Sequence, residues 1–373
     1  MKQTVPPTSP VRHRDSNLIE FLRVVSERVN VSPELVAACA QLENVIAPVE
    51  GGPFLTVLVR TQGLRIEPHK DALLCLSAQT SQDFEVILLV HSQDDEAIAG
   101  VNAVVDRLEP SFLARLTVDV VQGGSRAVPL NDGLARASGR FVTIFDDDDL
   151  LMGHWVEAFV RGSKDSSGRM LRAASANQWV EPEMWLNGAA GARTISWPTV
   201  DFPTAFVHVD HVLLNRSPFM TWAFPRELFA TFGVRFDEEL AVCEDWDVIL
   251  RGAALCGVTD VPELTSIYRR WSLGDSSYNV HQRSEWLESE HRVRARIDST
   301  PLLLPPGSAS LIEELLGRVD VMATYGSLFR GNRLRQPLYF GWVAVQPALR
   351  FGVRARNGLR RIRRYLQRAL RRR

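Results

Sequence analysis

An α/β fold, with a mostly parallel sheet flanked by helices, is what this sequence predicts, and two observations carry the prediction. Short apolar runs alternate with segments of helical periodicity from Phe54 onward, the pattern of right-handed βαβ units. The run Phe141-Val142-Thr143-Ile144-Phe145 then passes directly into Asp146-Asp147-Asp148-Asp149. Five apolar or β-branched residues in a row read as a buried strand. The four carboxylates therefore begin where that strand leaves the sheet, the end at which ligands of parallel sheets collect.

In order along the chain, residues 1–15 are rich in Pro, Ser and Thr and predict a mobile tail. Residues 16–52 form an N-terminal helical segment: Leu18, Phe21, Leu22, Val25 and Val29 have helical spacing, and Ser32-Pro33-Glu34 opens a second helix. Residues 53–300 form the main domain. Its predicted strands are Phe54–Arg60, Phe84–Val90, Leu116–Val121 and Phe141–Phe145; its helices are Lys70–Gln79, Ala97–Leu108, Asn131–Ala137 and Trp155–Gly162. Between Ala173 and Pro203 the pattern is mixed, with strands and loops expected beside the sheet. Helices resume at Pro225–Phe232, Glu244–Leu255 and Gln282–Ile297, with a polar loop over Trp271–Tyr278 and a Pro-rich break at Pro301–Gly307. A helical extension occupies 301–349, and 350–373 is a basic amphipathic tail.

Composition narrows the function classes. Hydrophobic residues make up 45% and charged residues 23%, which is globular and excludes wholesale disorder. The net charge of −1 hides an asymmetry: eleven arginines and no acid lie between Arg350 and Arg373, leaving about −12 on the rest. Leu359, Ile362, Leu366, Ala369 and Leu370 recur there at helical spacing. Such a helix suits an anionic membrane surface, or another polyanion; nothing in the main domain reads as an element specific for nucleic acid. The Pro337–Leu349 run is too short to span a bilayer and is expected in its interface. Cys39, Cys75, Cys243 and Cys256 form no CxxC pair, which suits a reducing compartment and excludes a zinc ribbon. With no apolar leader and no uncharged run of about 18 residues, a cytoplasmic protein, peripheral on the inner face of the membrane, is expected. No GxGxxG follows the first strand, and Gly123-Gly124-Ser125 is too short for a dinucleotide or P-loop signature.

Four adjacent aspartates repel one another, so a cation compensates them or they form a solvated cap on the next helix. The divalent-metal reading leads, because hard carboxylate oxygens select Mg2+ or Mn2+. Glu244-Asp245 is the second acidic cluster. Acids in the first turn of a helix also complement its dipole, so context decides that pair.

Several further motifs stand in a fixed order. Thr56-Val57-Leu58-Val59-Arg60-Thr61 comes first, then Leu76-Ser77-Ala78-Gln79-Thr80 and Asp83-Phe84-Glu85-Val86. Arg126, Leu130-Asn131-Asp132-Gly133-Leu134 and Ala137-Ser138-Gly139-Arg140 precede the aspartates. Phe236-Asp237-Glu238-Glu239, Glu244-Asp245-Trp246-Asp247 and Tyr268-Arg269-Arg270-Trp271 come after them. In this order, over roughly Leu55 to Tyr278, the chain resembles the inverting glycosyltransferases of family 2, which have the GT-A (Rossmann-like) fold. One departure stands out: where the family usually carries an acidic pair after the second strand, this chain has Val90-His91-Ser92.

The resemblance implies a metal-dependent transfer of a sugar from a UDP-, dTDP- or GDP-linked donor to a glycan or lipid-linked acceptor, as in cell-surface polysaccharide synthesis. It implies Asp148 as direct metal ligand, which the sequence does not separate from Asp149, and Asp146 at the sugar or ribose. Asp245 is then the general base and Glu244 positions it or the acceptor. Arg60, Thr61, His91, Arg126, Asn131, Asp146 and Asp147 are the expected donor-binding residues, Asn131 also capping its helix. Trp222, Trp246, Arg270 and Trp271 are expected on the acceptor side. A third metal ligand is sought among His208, His211 and His281, with His281 favoured because it follows the polar loop, which is often a lid in this family. The competing reading is a catalytically silent GT-A-fold scaffold at the membrane surface. Metal-dependent phosphate hydrolysis or nucleotidyl transfer trails, for want of a nucleophile motif and a Gly-rich nucleotide loop.

Overall fold

A computed structural model of the chain describes residues 17, 18, 20–22, 31–45, 51–164, 166, 168–184, 190–273, 280–304, 308–313 and 316. The expected N-terminal tail, the Pro337–Leu349 run, the arginine-rich tail and most of the Trp271–Tyr278 loop lie outside the described residues. The chain divides into two units, Met1–Pro306 and Gly307–Arg373. Every strand among the described residues lies in the first. Of the second, residues 308–313 and 316 are described, and they are helical.

In chain order the elements are α1 (Pro33–Val45), β1 (Leu55–Thr61), α2 (Ile66–Ser77), β2 (Phe84–His91), α3 (Asp95–Val105), α4 (Pro110–Leu113), β3 (Leu116–Val121), α5 (Val128–Arg136) and β4 (Phe141–Asp146). There follow β5 (Leu150–Leu151), α6 (Trp155–Ser163), β6 (Met170–Met184), β7 (Ala190–Thr194), α7 (His208–Leu213), β8 (Trp222–Pro225), α8 (Arg226–Ala230), α9 (Glu244–Cys256), β9 (Val258–Trp271) and α10 (Arg283–Asp298). The sheet order is β3-β2-β1-β4-β8-β6-β9-β5, with β7 paired to β6. β3, β2, β1 and β4 are parallel. β8 runs antiparallel to β4 and to β6, while β9 lies parallel to β6.

The order places a topological switch at β1. From β1 the chain moves to β2 and β3 on one side, then returns to β4 on the other, so the crossovers diverge and leave a crevice beyond the carboxyl ends of β1 and β4. β1 can occupy that central place because all seven of its residues are buried. Its side chains alternate between two cores: Leu55, Val57 and Val59 pack with Leu73, Leu76, Phe141 and Phe145 on one face. Leu58 joins Leu89, Leu130, Ile144 and Val248 on the other. Each such aliphatic side chain contributes about 1.5–3 kcal/mol by leaving water.

Several boundaries differ from the sequence reading for local reasons. α5 begins at Val128, not Asn131, because Pro129 fits the first helical turn, where no amide is needed. The predicted Ala97–Leu108 helix ends at Val105, and Pro110 starts a separate turn. The mixed Ala173–Pro203 region is dominated by the 15-residue β6 and its hairpin partner β7, whose register pairs Val180 with Thr194 and Met184 with Ala190. β9, 14 residues long, carries Tyr268 to Trp271 alongside β6.

At the amino end of the sheet the chain is clamped by a polar knot. The Thr56 hydroxyl donates to Glu85 Oε1 at 2.5 Å and accepts from the Gly139 amide at 2.8 Å. Gly139 passes so close that a Cβ would lie 2.5 Å from the Thr56 nitrogen and 2.8 Å from the Leu55 carbonyl carbon. Neither backbone atom can move without dragging the central strand. Gly139→Ala is therefore expected to lower stability by roughly 1–3 kcal/mol, read as an earlier midpoint in urea denaturation with an unchanged slope.

Candidate functional site

A cleft of about 960 Å³ opens at the carboxyl ends of β1, β2 and β4. Arg60 and Asp146 are register partners at the ends of β1 and β4, and Arg60 Nη2 donates to Asp146 Oδ1 at 2.8 Å. The other arm of the same guanidinium reaches Glu244 Oε1 at 3.1 Å. Arg126 Nε stands 2.7 Å from that Glu244 oxygen. One buried arginine thus ties the strand-end acids to the first turn of α9. Burial works against its charge, but Asp146 and Glu244 outweigh that and raise its pKa further.

The four aspartates are not equivalent. Asp147, 5% exposed in its side chain, accepts from the Thr61 hydroxyl at 2.6 Å and from Arg65 Nη2 at 2.9 Å. Asp148 pairs with the other arm of Arg65. Asp149 turns inward, 2% exposed, and accepts the Arg269 amide at 2.8 Å, which fastens β9 to the acidic turn. Of Asp148 and Asp149, between which the sequence does not choose, Asp148 lines the cleft.

Burial, the largest influence on all four, favours their neutral forms. At Asp146 the Arg60, Arg126 and Arg65 charges overcome it and hold the carboxyl below its usual range. Asp147 and Asp149 are pushed up, and Asp148 rises to about 6 because Asp147 and Asp146 add repulsion to desolvation, against the pull of Arg65.

Arg60, Thr61, His91, Arg126, Asp146, Asp147, Asp148, Arg270, Trp271 and His281 all line the cleft, so most of the residues singled out from sequence come together. His91, at the end of β2, has its Nε2 3.0 Å from the Gly123 carbonyl oxygen. His281 Nδ1 lies 3.4 Å from Glu285 Oε2, and among the described residues no three His, Cys, Asp or Glu side chains converge as a metal cluster.

Glu244 and Asp245 stand just behind the lining, which reaches Ala241. Glu244 is 2% exposed under Arg60 and Arg126. Asp245, partly exposed, accepts from Asn215 Nδ2 at 2.7 Å. Its carboxyl is pushed up to about 6 by burial and by Glu244 beside it. The turn before this pair holds Cys243 at φ 68°, the sole non-glycine residue with positive φ among those described. A left-handed cysteine costs about 1–3 kcal/mol and is retained where the surroundings enforce it.

Five residues singled out from the sequence lie away from the cleft lining. Trp222 is 0% exposed and donates from Nε1 to the Ser217 hydroxyl at 2.9 Å; Trp246 is 1% exposed and donates to the His211 carbonyl. Both indoles are core, with no face for an acceptor. Asn131 neither caps α5 nor lines the cleft: its amide clasps the Phe236 backbone, accepting at 2.9 Å and donating at 3.0 Å. His208 and His211 are buried against Phe206, and burial lowers both pKa values, that of His211 to about 3. They are packing residues, not metal ligands.

Sequence reasoning also missed residues. Arg65, in the β1–α2 loop, grips two of the four acids while its guanidinium lies 5.6 Å from the Trp271 ring centroid. Trp271, 8% exposed, is thereby a platform for Arg65. Gln62, Ser125, Trp179 and Arg269 also line the cleft. The available signal was position: Gln62, Arg65 and Ser125 lie in loops leaving parallel strands at their carboxyl ends.

Comparison with known proteins adds the fold. No protein-family model and no curated protein matches the sequence. Among solved structures, S. aureus TarS residues 1–349 in complex with UDP-GlcNAc is similar at 17% identity, covering 66% of this chain and 67% of that one, with a TM-score of 0.50. A further S. aureus TarS structure is spanned over 40% of its length. The mannosyltransferase PcManGT from Pyrobaculum calidifontis, in complex with GDP-Man and Mn2+, aligns at 15% identity over 88% of this chain and 96% of that one, with a TM-score of 0.43. The chain thus shares the mixed α/β fold of the TarS 1–349 structure, a mostly parallel sheet flanked by helices. No helix among the described residues is long and apolar enough to cross a membrane.

Asp148 also makes stability depend on pH. Its folded value of about 6 lies above an unfolded value near 3.9, so the fold favours the protonated form. That contribution is complete below about pH 4 and is lost as pH rises through 6. Asp148→Asn is expected to stabilise the metal-free protein by roughly 1–2 kcal/mol at pH 7.5 and to leave it nearly unchanged at pH 4, measured by thermal unfolding at both.

Proposed function

We propose that the chain is a metal-dependent, inverting glycosyltransferase that moves a sugar from a nucleotide-diphosphate donor to a glycan or lipid-linked acceptor. The observation that carries this reading is Arg60 bridging Asp146 to Glu244, because it joins at one cleft the two carboxylate clusters such a transfer needs. The fold shared with TarS, which was solved with UDP-GlcNAc, is in keeping with a nucleotide-sugar donor.

The donor diphosphate would lie at the strand ends. Asp146 Oδ2 and Asp148 Oδ1 have no hydrogen bond or ion pair among the described residues. Two hard oxygens suit Mg2+ or Mn2+, which commonly takes one or two protein carboxylates and completes its shell with substrate phosphates and water. Asp146 and Asp148 are therefore the residues that would hold it, with His281 also lining the cleft. Such an ion, once bound, supplies neutralisation of charge on the diphosphate. Thr61 fixes Asp147, and Asp149 fixes the turn. Arg65 meanwhile pairs with Asp147 and with the other oxygen of Asp148, so it competes for the Asp148 carboxylate and, once displaced, is a cation for the phosphates.

Asp245 is the general base. Its carboxylate takes the proton of the acceptor hydroxyl as that oxygen attacks the anomeric carbon, and the bond to the diphosphate oxygen breaks with its electron pair leaving on the phosphate. Attack opposite the leaving group inverts the anomeric centre. A carboxyl near 6 is well matched to this task, since a base stronger than an ordinary aspartate is still mostly ionised at neutral pH. Glu244, locked between two arginines, holds α9 in place under it, and the enforced left-handed turn at Cys243 sets the direction in which the pair emerges.

Asp245→Asn is expected to reduce transfer about 10²- to 10⁴-fold while retaining metal-supported nucleotide binding. Asp148→Ala should lose that binding. Transfer by the unaltered protein should fall tenfold per unit below pH 6. Across a panel of UDP-, dTDP- and GDP-sugars with Mn2+, binding of none by calorimetry would favour a silent scaffold instead. For Arg65→Gln, Mn2+ affinity without nucleotide should rise several-fold in an electron paramagnetic resonance titration, since a competitor for the carboxylates is gone.

A further inference from the structure

The cleft arginines differ in how they are held. Arg60 and Arg126 are paired with Asp146 and Glu244, Arg65 with Asp147 and Asp148, and Arg269 with Asp71 at 3.3 Å. Arg270 has no carboxylate partner among the described residues, and its buried Nε has no hydrogen-bond partner among them. Three aromatic rings surround it instead: Phe202, Trp179 and Tyr268, with centroids 5.7, 5.8 and 5.9 Å from the guanidinium carbon. Rings attract a cation without neutralising it. Among the described residues the charge is therefore positioned and partly desolvated but not compensated.

Its location sets it apart from the acidic turn. Along β9 successive side chains alternate between the two faces. Arg269 and Trp271 turn toward Asp148, Asp71 and Arg65. Arg270 and Tyr268 turn the other way, toward β6 and the 195–207 segment, where Trp179 pairs in register with Arg270. Trp179 is 45% exposed and lines the cleft. A rigid indole beside an uncompensated guanidinium offers a stacking surface for a sugar ring and a receptor for a negative charge on it.

We propose that this face receives the acceptor, and that the acceptor is an anionic saccharide, one bearing a carboxylate or phosphate that pairs with Arg270 while its ring lies on Trp179. This rests on the glycosyltransferase reading for the role of the saccharide, though not for the existence of the anion site. A neutral acceptor would leave the Arg270 charge uncompensated in a half-buried setting, which is costly.

The test measures binding of glucuronate, glucose 6-phosphate and glucose by calorimetry, in the presence of UDP and Mn2+, to the unaltered chain, Arg270→Gln, Arg270→Lys and Trp179→Ala. Expected is at least tenfold tighter binding of one or both anionic sugars than of glucose. Arg270→Gln should abolish that preference, Arg270→Lys restore part of it, and Trp179→Ala weaken all three sugars, with UDP affinity within twofold throughout. Glucuronate alone, or glucose 6-phosphate alone, distinguishes a carboxylate from a phosphate ligand. Equal affinity for charged and neutral sugars overturns the proposal, as does loss of UDP affinity in Arg270→Gln, which would place the residue on the donor side. An Arg270-dependent preference for the anionic sugars in a chain that binds no nucleotide diphosphate would keep the anion site and overturn the glycosyltransferase reading.

Discussion

The contact on which the rest of the site depends is the buried bridge from Arg60 to Asp146 and Glu244. Three charges with side chains 9%, 32% and 3% exposed cannot be desolvated separately; each lowers the cost of burying the others. Removing Arg60 would leave Glu244 with Arg126 alone and Asp146 beside three other aspartates. The bridge joins the central strand to β4 and to α9. The relative placement of the two carboxylate clusters is thereby built into the stability of the sheet.

Much of the parallel half of the fold was legible because its strands are largely apolar on both faces: β1, β2 and β4 are dominated by Leu, Val, Ile and Phe and read directly as strands. The other half was not. β6 and β9 are long, are partly exposed, and mix Arg, Asn, Glu and Thr with apolar residues, so neither period dominates. Within the site, adjacent acids announced a charge anomaly but not its solution. Nothing in Asp-Asp-Asp-Asp tells that Asp149 caps an amide of β9 while Asp148 faces the cleft. Arg65 was missed because a lone arginine in a loop has the same appearance as any surface cation. The tryptophans misled in the opposite direction: Trp222 and Trp246 satisfy their indole N–H groups inside the core, and only burial separates such a residue from one that stacks on a ligand.

Behind the cleft, α10 does the holding that the strained turn at Cys243 requires. Arg296 donates to Asp247 at 2.5 Å and to Asp237 at 2.6 Å, and Val293 packs with Leu240, Trp246 and Leu250. Arg251 grips Asp247 from its own helix. The segment from Asp237 to Asp247 is thus bound at both ends, which is how an unfavourable backbone conformation survives in its middle. The acidic content of the first turn of α9 divides accordingly: Asp247 is structural, Glu244 anchors, and Asp245 is left partly exposed.

Charge accounting at the strand ends explains why so many arginines gather there. With Asp146 to Asp149, Glu244 and Asp245 close together, the cleft is stable without a bound ion only if cations from the chain itself stand in, and Arg60, Arg65 and Arg126 do so. These are not equal partners. Arg60 is 9% exposed and braced from two sides, whereas Arg65 is 25% exposed and hangs on a loop over Trp271. Exchange with an incoming cation and diphosphate would therefore proceed at Arg65 and spare Arg60, since the Arg65 guanidinium is the more exposed and the Arg60–Glu244 pair, 9% and 3% exposed, is not screened by water. The same physics that stabilises the acidic turn selects which of its contacts can give way.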